Sequence, residues 1–298
     1  MKNREPTRRV KGRAGTADDQ SSAPRPPSTS VPRPPPPVLG PRSAVLGLQS
    51  SALRPLPSRL SSAELTDIGL CRENNEDAVL RLPGRGVFCV ADGMGGAEGG
   101  EVASRAIADA LRQTFAAARA PRTLAASARL AAAAVDAAGR AIKAFADARG
   151  FSGAGSTVLV LAFDPADPAR ALLLHAGDSR AYRFRAGRLL ALTRDHSLAA
   201  ALGLAEKEIP ARYSGVITRA VGLGDHVELE ETPADVLPGD LFLLCTDGLT
   251  KTVSDRRLQN LLRKRLDAAL PDLARALVDA ALAAGGYDNV SVLLVRVS

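Results

Sequence analysis

Three segments of the sequence are almost wholly apolar over the length of a β-strand, and each is followed directly by an acidic step. A run without polar alternation is typical of a strand that is buried on both faces. We therefore expect a sheet with a covered core and with carboxylates at the ends of its buried strands. The segments are residues 87–91, followed by Asp92-Gly93; residues 171–176, followed by Gly177-Asp178; and residues 241–245, followed by Thr246-Asp247-Gly248.

Further carboxylates stand at the starts of predicted strands. Glu76 and Asp77 precede one apolar run, and Asp288 precedes the last one. Carboxylates at the rim of a core are costly unless they are paired or bind a metal ion. In a sandwich of antiparallel sheets the starts and ends of strands meet on one edge, so these side chains form an oxygen-rich site. Hard oxygen ligands favour Mg²⁺ or Mn²⁺ over zinc.

An alternative interpretation is that the Asp-Gly steps mark hairpin turns. It stays open for Asp178, because another strand-like run follows. It fits Asp92 poorly, because a glycine-rich segment and then a helix follow. It also fits Asp247 poorly, since a short loop and a helix come next. A glycine-rich loop allows the backbone to approach a ligand closely.

The spacing of apolar residues predicts an α+β fold rather than regular βαβ alternation. Apolar runs bounded by Gly, Asp or Pro predict the strands, and Ala-rich segments with apolar residues three and four apart predict the helices. Ser254 is the expected N-cap of the third helix. Strands are predicted at 64–70, 77–82, 86–91, 156–163, 171–176, 180–184, 227–230, 241–245 and 289–297, and helices at 99–117, 122–148, 255–266 and 271–284.

Residues 1–58 are predicted to be a disordered, Pro/Arg-rich basic tail, and residues 59–298 the folded domain. The tail contains few large apolar residues, so burial cannot offset its ordering entropy. The first 60 residues contain eleven Lys and Arg against three Asp and Glu, whereas the whole chain has a net charge of +7. The folded part is therefore close to neutral. With 3% aromatic residues and no Trp, it offers no platform for stacking nucleic-acid bases.

Membrane and disulfide signals are missing from the sequence. No stretch reaches the roughly 18–20 apolar residues of a membrane-spanning helix, and no apolar region follows the basic N-terminus, so a cytoplasmic protein is expected. Cys71, Cys89 and Cys245 each lie in or beside an apolar run. They are predicted to be buried free thiols.

Eight motifs in order resemble those of the metal-dependent protein phosphatases, the type 2C family of Ser/Thr phosphatases. The resemblance covers about residues 62–298. Any one motif is weakly specific, but the ordered set is highly specific. The motifs are Arg72-Glu73-Asn74-Asn75-Glu76-Asp77-Ala78, Ala91-Asp92-Gly93-Met94-Gly95-Gly96, Gly155-Ser156-Thr157, Gly177-Asp178-Ser179-Arg180, Leu192-Thr193-Arg194-Asp195-His196-Ser197, Ile217-Thr218-Arg219-Ala220-Val221-Gly222, Thr246-Asp247-Gly248-Leu249 and Asp288-Asn289-Val290.

The resemblance implies a four-layer α-β-β-α sandwich of two antiparallel sheets flanked by helix pairs. It implies a hydrolase that removes phosphate from phosphoserine and phosphothreonine in proteins with a metal-activated water, opposing a Ser/Thr kinase. Two Mn²⁺ or Mg²⁺ ions are the expected cofactors, with a third as an option. The expected partners are phosphorylated proteins, without a membrane, and the chain is expected to be a monomer.

The resemblance also implies a role for each acidic residue. Asp92 is expected to bridge two ions, and the carbonyl of Gly93 to ligate one of them. Asp247 and Asp288 are expected to complete the other ion's site. These four positions form the proposed two-ion centre.

The remaining expected site residues surround that centre. Glu76 and Asp77 are expected to act through water on the ions. Asp178 matches the position that, in bacterial members, helps to hold a weaker third ion shared with Asp247. Arg72 is expected to bind the substrate phosphate, because a planar guanidinium can contact two phosphate oxygens at once. An alternative for Arg72 is a surface cation paired with Glu73 or Glu76.

The sequence departs from the family pattern at Met94. Many eukaryotic members have a histidine there, assigned as general acid, and methionine cannot donate a proton. Residues 195–216 correspond to the family's flap, a variable segment expected to gate substrate. Asp195 and His196 are expected to be structural, His175 to be a core histidine, and Arg180 to pair with carboxylates.

The sequence fits two other functional classes less well than the phosphatase. A catalytically silent binding module with the same fold would need a broken metal set, and the intact Asp92, Asp247 and Asp288 argue against it. A nucleic-acid-binding protein led by its basic tail is reduced to a side role by the nearly neutral folded domain.

Overall fold

The computed structural model describes residues 60–95, 99–150, 153–205 and 208–298. The predicted tail, residues 1–58, lies outside the described residues. Two antiparallel sheets pack face to face, and helices cover both outer faces. This is the predicted four-layer α-β-β-α arrangement.

The first sheet contains five strands in the order β1-β11-β10-β7-β8. Its central strands, β10 and β11, are buried along nearly their whole length, as expected for apolar runs covered on both faces. The strands are β1 (Leu60–Asp67), β7 (Arg180–Arg185), β8 (Arg188–Ala191), β10 (Leu241–Cys245) and β11 (Val290–Val297).

The second sheet follows the order β2-β3-β5-β6-β9, and the short strand β4 pairs with β3 beside this path. Every strand pair in both sheets is antiparallel. The strands are β2 (Asp77–Leu82), β3 (Val87–Met94), β4 (Gly155–Ser156), β5 (Val158–Phe163), β6 (Arg170–Ala176) and β9 (Glu230–Asp235).

The helices form the outer layers. The first two pack on the second sheet, while the last three cover the first sheet through a separate apolar cluster. A further helix of five residues lies in the flap. The helices are α1 (Gly99–Ala117), α2 (Leu124–Arg149), α3 (Leu198–Leu202), α4 (Asp247–Thr250), α5 (Asp255–Lys264) and α6 (Leu270–Leu282).

A third apolar cluster lies between the two sheets. Phe163 of one sheet packs edge-on against Phe242 of the other, with 5.6 Å between ring centroids. Phe88 packs against the same Phe163 ring at 6.0 Å. Edge-to-face packing at these distances stabilises an aromatic pair beyond its buried area. The inter-sheet core therefore fixes the relative position of the two sheet edges that carry the acidic residues.

The predicted elements agree with the structure where apolar runs are long. The helix at 99–117 and the strands at 77–82 and 241–245 have the predicted bounds. Ser254 accepts a hydrogen bond from the amide of Arg257, as expected for the N-cap.

Other predicted boundaries are wrong. The strand at 227–230 is instead β9, a polar edge strand that contains Pro233. Proline cannot donate a backbone hydrogen bond and is therefore confined to edge strands and strand ends. All but one of the side chains of β9 are exposed or half-buried, so the strand has no apolar run. Strand β8 was also missed.

The prediction of three buried free thiols is wrong for Cys71. Cys71 is exposed, because it lies in the loop between β1 and β2, whereas Cys89 and Cys245 are buried free thiols. In the described part of the chain, no helix combines the length and apolarity needed to cross a membrane.

Replacing Asp240 with alanine is expected to lower the free energy of unfolding by about 2–4 kcal/mol. The fully buried Asp240 carboxylate accepts two hydrogen bonds from Arg185, each of 2.6 Å, and one from the amide of Leu237. The substitution removes the buried partner of Arg185. Urea unfolding followed by circular dichroism would measure the change.

Asp109→Ala is the control for that variant. Asp109 forms an ion pair with Arg112 on α1, and both side chains are about half exposed, at 47% and 54%. An exposed ion pair contributes only about 0–1 kcal/mol. Equal losses in the two variants would contradict the special role of the buried carboxylate.

Candidate metal centre

The acidic residues of the second sheet lie side by side at one edge. Asp77 opens β2 and is the cross-strand partner of Asp92 in β3. Asp92 is a strand residue through this pairing, and β3 continues beyond it to Met94 by pairing with β4. The sequence predicted that this strand ends at residue 91. The extension fixes the backbone of Asp92 on both sides, so its carboxylate has a defined position.

The first sheet brings its acidic residues to the same edge. Asp247 is the first residue of α4, directly after β10, and Asp288 lies just before β11. A side chain at Gly248 would place its Cβ 2.0 Å from the carbonyl oxygen of Asn289. Real Cβ contacts are never this short, so glycine is required there. This close approach of α4 to the start of β11 places Asp247 and Asp288 on the same side of the structure, where both line one cavity.

These residues line one cavity of about 620 Å³. Asp77 lies behind it, beside Asp92. Carboxylates carried by both sheets therefore line one cavity, as the sequence predicted. Its charged and site-forming lining residues are Arg72, Glu73, Glu76, Asp92, Gly93, Asp178, Asp247, Lys251 and Asp288.

Two carboxylate oxygens at this site are buried without a hydrogen-bond partner. They are Oδ1 of Asp77 and Oδ1 of Asp247. The other oxygen of Asp77 accepts a hydrogen bond of 2.9 Å from the hydroxyl of Thr246. A buried polar atom without a partner is costly, and the cost is greatest for charged groups. Two such oxygens near further carboxylates fit a site for divalent cations.

The pKa shifts at the site have the same cause. Burial raises the pKa of Asp77 to about 7, and the negative charge of Asp247 adds to the rise. Burial raises the pKa of Asp92 well above its ordinary value, with further contributions from Asp77 and Asp247. Desolvation and repulsion between like charges both disfavour the ionised forms. A bound cation would reverse both effects.

Glu76 and Gly93 are held by close backbone packing. The amide of Gly93 donates a hydrogen bond of 3.0 Å to the carbonyl of Glu76. A Cβ at Gly93 would lie 2.0 Å from the carbonyl oxygen of Gly100. A Cβ at Gly100 would lie 2.6 Å from the carboxyl carbon of Glu76. The Glu76 side chain therefore lies against the start of α1, beside the cavity.

Asn289 is a residue whose role sequence reasoning missed. Its side-chain oxygen accepts a hydrogen bond from the amide of Glu76, and its side-chain nitrogen donates to the carbonyls of Ile68 and Asn74. These three bonds anchor the loop that carries Arg72. The Asp-Asn-Val motif pointed to this position, but the partners depend on the folded structure.

Asp178 lies in the connection from one sheet to the other rather than in a hairpin turn. Strand β6 belongs to the second sheet and β7 to the first, so the Gly177-Asp178 step is a crossing, and the hairpin interpretation is wrong. Gly177 adopts φ = 112°, and a Cβ there would lie 2.5 Å from Thr157. Burial raises the pKa of Asp178 to about 7, and repulsion from Asp247 adds to the rise.

Arg72 contacts the acidic cluster at the mouth of the cavity. Its Nη2 lies 2.8 Å from a carboxylate oxygen of Asp288, and its side chain is 47% exposed. The predicted alternative of an ion pair with Glu73 or Glu76 is therefore not the contact that the structure shows. Asp288 positions the guanidinium beside the carboxylates.

Lys251 is a second residue that the sequence analysis did not single out. Its ammonium forms an ion pair with Oδ2 of Asp247, and its side chain lines the cavity. The two residues are four positions apart across α4. That spacing places opposite charges next to each other on a helix, so it is the signal that could have found Lys251.

The flap and its neighbours contribute structural contacts. Arg180 forms a two-bond ion pair with Asp195, as the sequence analysis expected. His196 accepts a hydrogen bond from the amide of Gly177 and contacts Glu230 through its other ring nitrogen. His175 stacks on His196 with 4.5 Å between ring centroids. These contacts hold the start of the flap, residues 195–216, against the crossing that carries Asp178.

Known proteins with this arrangement are similar to the chain over most of its length. Residues 72–283 match the family model for protein phosphatase 2C. The Ser/Thr protein phosphatase PstP of Mycobacterium tuberculosis is 34% identical over 247 residues, which are 80% of this chain. The chain spans only 45% of PstP's length.

Solved structures show the same fold. PppA of Pseudomonas aeruginosa, described as a key regulatory component of T6SS, is 38% identical with a TM-score of 0.72, and the match covers 81% of this chain and 99% of PppA. The catalytic domain of PstP in complex with two manganese ions is 34% identical with a TM-score of 0.68, covering 80% of this chain and 98% of that domain. The resemblance of the sequence motifs is thereby confirmed, and the chain belongs to the protein phosphatase 2C family.

Proposed function

We propose that this chain is a metal-dependent protein phosphatase that hydrolyses phosphoserine and phosphothreonine. The observation that carries the proposal is the cavity lined by Asp92, Asp247, Asp288 and Arg72, in which a buried oxygen of Asp247 has no hydrogen-bond partner. Such a cavity suits divalent cations together with a phosphate group. Membership of the protein phosphatase 2C family supports the same activity.

The residues present fit a pair of Mn²⁺ or Mg²⁺ ions. The side chains of Asp92, Asp247 and Asp288, with the carbonyl of Gly93, are the proposed ligands, and Glu76 and Asp77 support them. All donors are hard oxygen atoms, which these ions prefer. When bound, such ions supply Lewis acidity, which lowers the pKa of water towards neutrality. The manganese ions of the PstP catalytic domain support this assignment.

The chain's own residues bind and orient the phosphoryl group. Arg72 lines the cavity, and its contact with Asp288 holds the guanidinium at the rim. A guanidinium there binds phosphate oxygens and stabilises the charge that develops on them. Met94 also lines the cavity and has no proton to donate, so water is the proposed proton donor to the leaving oxygen.

Phosphorylated proteins are the proposed partners, and the targets of a Ser/Thr kinase are the proposed substrates. The open cavity admits a side chain that projects from a polypeptide. The proposal applies to the domain present here, since PstP extends well beyond it. The cytoplasmic location and the monomeric state stay predictions of the sequence.

Phosphate release from defined peptides tests the proposed function. With Mn²⁺ present, the purified protein is expected to release phosphate from peptides carrying phosphoserine or phosphothreonine. A malachite green assay would measure the rate, with the matching unphosphorylated peptides as blanks. Release no faster than in a variant with Asp247 replaced by asparagine would contradict the proposal and favour the silent binding module.

A further inference from the structure

Lys251 occupies the side of the cavity where Asp178 and Asp247 converge. Both carboxylates and Lys251 line the main cavity, and all three also line the smaller neighbouring pocket beneath the flap. The ammonium is attracted by Asp247, Asp178 and Asp288 together. A positive group of this chain therefore already lies where Asp178 and Asp247 converge.

The ion pair with Lys251 uses only one of the two oxygens of the Asp247 carboxylate. Oδ2 forms the ion pair with the ammonium, while Oδ1 is buried without a hydrogen-bond partner. One oxygen is thus left for the proposed two-ion centre. The other oxygen, which a metal ion shared with Asp178 would need, is already paired with the ammonium of Lys251.

The flap closes the remaining side of this space. Gly215 lines both pockets, and a Cβ at this residue would lie 3.8 Å from Nζ of Lys251. Gly215 adopts φ = 71°, a conformation that favours glycine. The ammonium therefore lies between Asp247 and the backbone of the flap. A further cation in the same space would face electrostatic repulsion from the ammonium.

We infer that the ammonium of Lys251 takes the place of the third divalent ion, so that this chain holds two ions. The inference rests on the proposed metal centre and deepens it. The residues do not fit the third ion that the family resemblance offered as an option, because the chain supplies that positive charge itself. Lys251 is accordingly a residue that sets how many ions the centre binds.

Counting bound manganese tests this inference without reference to activity. Wild-type protein and the Lys251→Met variant would be dialysed to equilibrium at a series of free Mn²⁺ concentrations, and bound metal counted by mass spectrometry. Methionine keeps a long side chain and removes the charge. Wild type is expected to saturate at two ions and Lys251→Met at three. Lys251→Arg keeps the charge and is expected to stay at two.

A double variant locates the extra ion. Adding Asp178→Asn to Lys251→Met is expected to return the count to two, because Asp178 is the proposed ligand of the extra ion. An unchanged count in Lys251→Met, a count of three in wild type, or a third ion that persists in the double variant would each overturn the inference. Lys251→Gln provides a second neutral variant if the methionine variant does not fold, as judged by circular dichroism.

The same titration separates this inference from the proposed function. A wild-type protein that binds no manganese would overturn both. A wild-type count of two with no gain in either neutral variant would overturn the role of Lys251 alone. The proposed phosphatase activity would then stand.

Discussion

Replacing Asp247 with asparagine is expected to lower kcat/KM for a phosphothreonine peptide by about 10³-fold or more. Asp247 is buried, one of its oxygens has no hydrogen-bond partner, and the other forms an ion pair with Lys251; it lines the same cavity as Asp288. Asparagine has nearly the same shape but removes the negative charge and one acceptor oxygen. The variant should therefore keep the fold and lose cation affinity. Steady-state kinetics with Mn²⁺ would measure the change.

Two controls separate this effect from a general loss of charge. Asp109→Asn removes a carboxylate that is exposed on α1 and paired only with its neighbour Arg112 among the contacts described, and it is expected to leave kcat/KM unchanged. Omission of divalent ions from the wild-type assay is expected to reach the same low rate as Asp247→Asn. Activity of the variant close to that of wild type would contradict the metal centre.

Much of the acidic site could be predicted because its residues lie at or next to the ends of buried strands. The apolar run at 241–245 became β10 with the predicted bounds, and Asp247 follows it on α4. A short continuous apolar run indicates a strand that is buried on both faces. The residue at which the run stops therefore predicts the end of the strand. The convergence of strand ends at one edge then follows from antiparallel pairing.

The missed parts of the site depend on contacts between distant segments. Asn289 bonds to a loop more than 210 positions away in the chain, and no local pattern carries that information. The extension of β3 beyond Asp92 to Met94 depends on pairing with β4, a strand of two residues. Strand β9 was misplaced because its side chains are mostly exposed or half-buried. Its sequence therefore lacks the apolar run from which the other strands were predicted.

The partner of Arg72 shows the same limit at the level of one side chain. The sequence predicted a phosphate-binding role for the guanidinium and offered an ion pair with Glu73 or Glu76, which are close along the chain, as the alternative. The structure pairs it with Asp288, which is 216 positions away. The contact draws the arginine to the carboxylates rather than to solvent. Its consequence for substrate binding can be measured directly.

Replacing Arg72 with alanine is expected to lower kcat/KM by about 10²-fold. Two charge-assisted hydrogen bonds from a guanidinium to phosphate contribute about 3 kcal/mol together, which corresponds to this factor. The loss should fall on KM as well as kcat, because the phosphate is bound in both the ground state and the transition state. Kinetics on a phosphothreonine peptide would measure both constants.

Arg72→Lys and a second substrate make the result specific to phosphate binding. Lysine keeps the charge but lacks the planar fork, so its expected loss lies between those of wild type and alanine. A small phenyl phosphate ester shares only the phosphate with the peptide, and the alanine variant should lose a similar factor on both. If turnover of the ester were unchanged while peptide turnover fell, Arg72 would contact the polypeptide instead. Because Asp288 also loses its partner in this variant, equal counts of bound manganese in Arg72→Ala and wild type are needed to assign the loss to the phosphate.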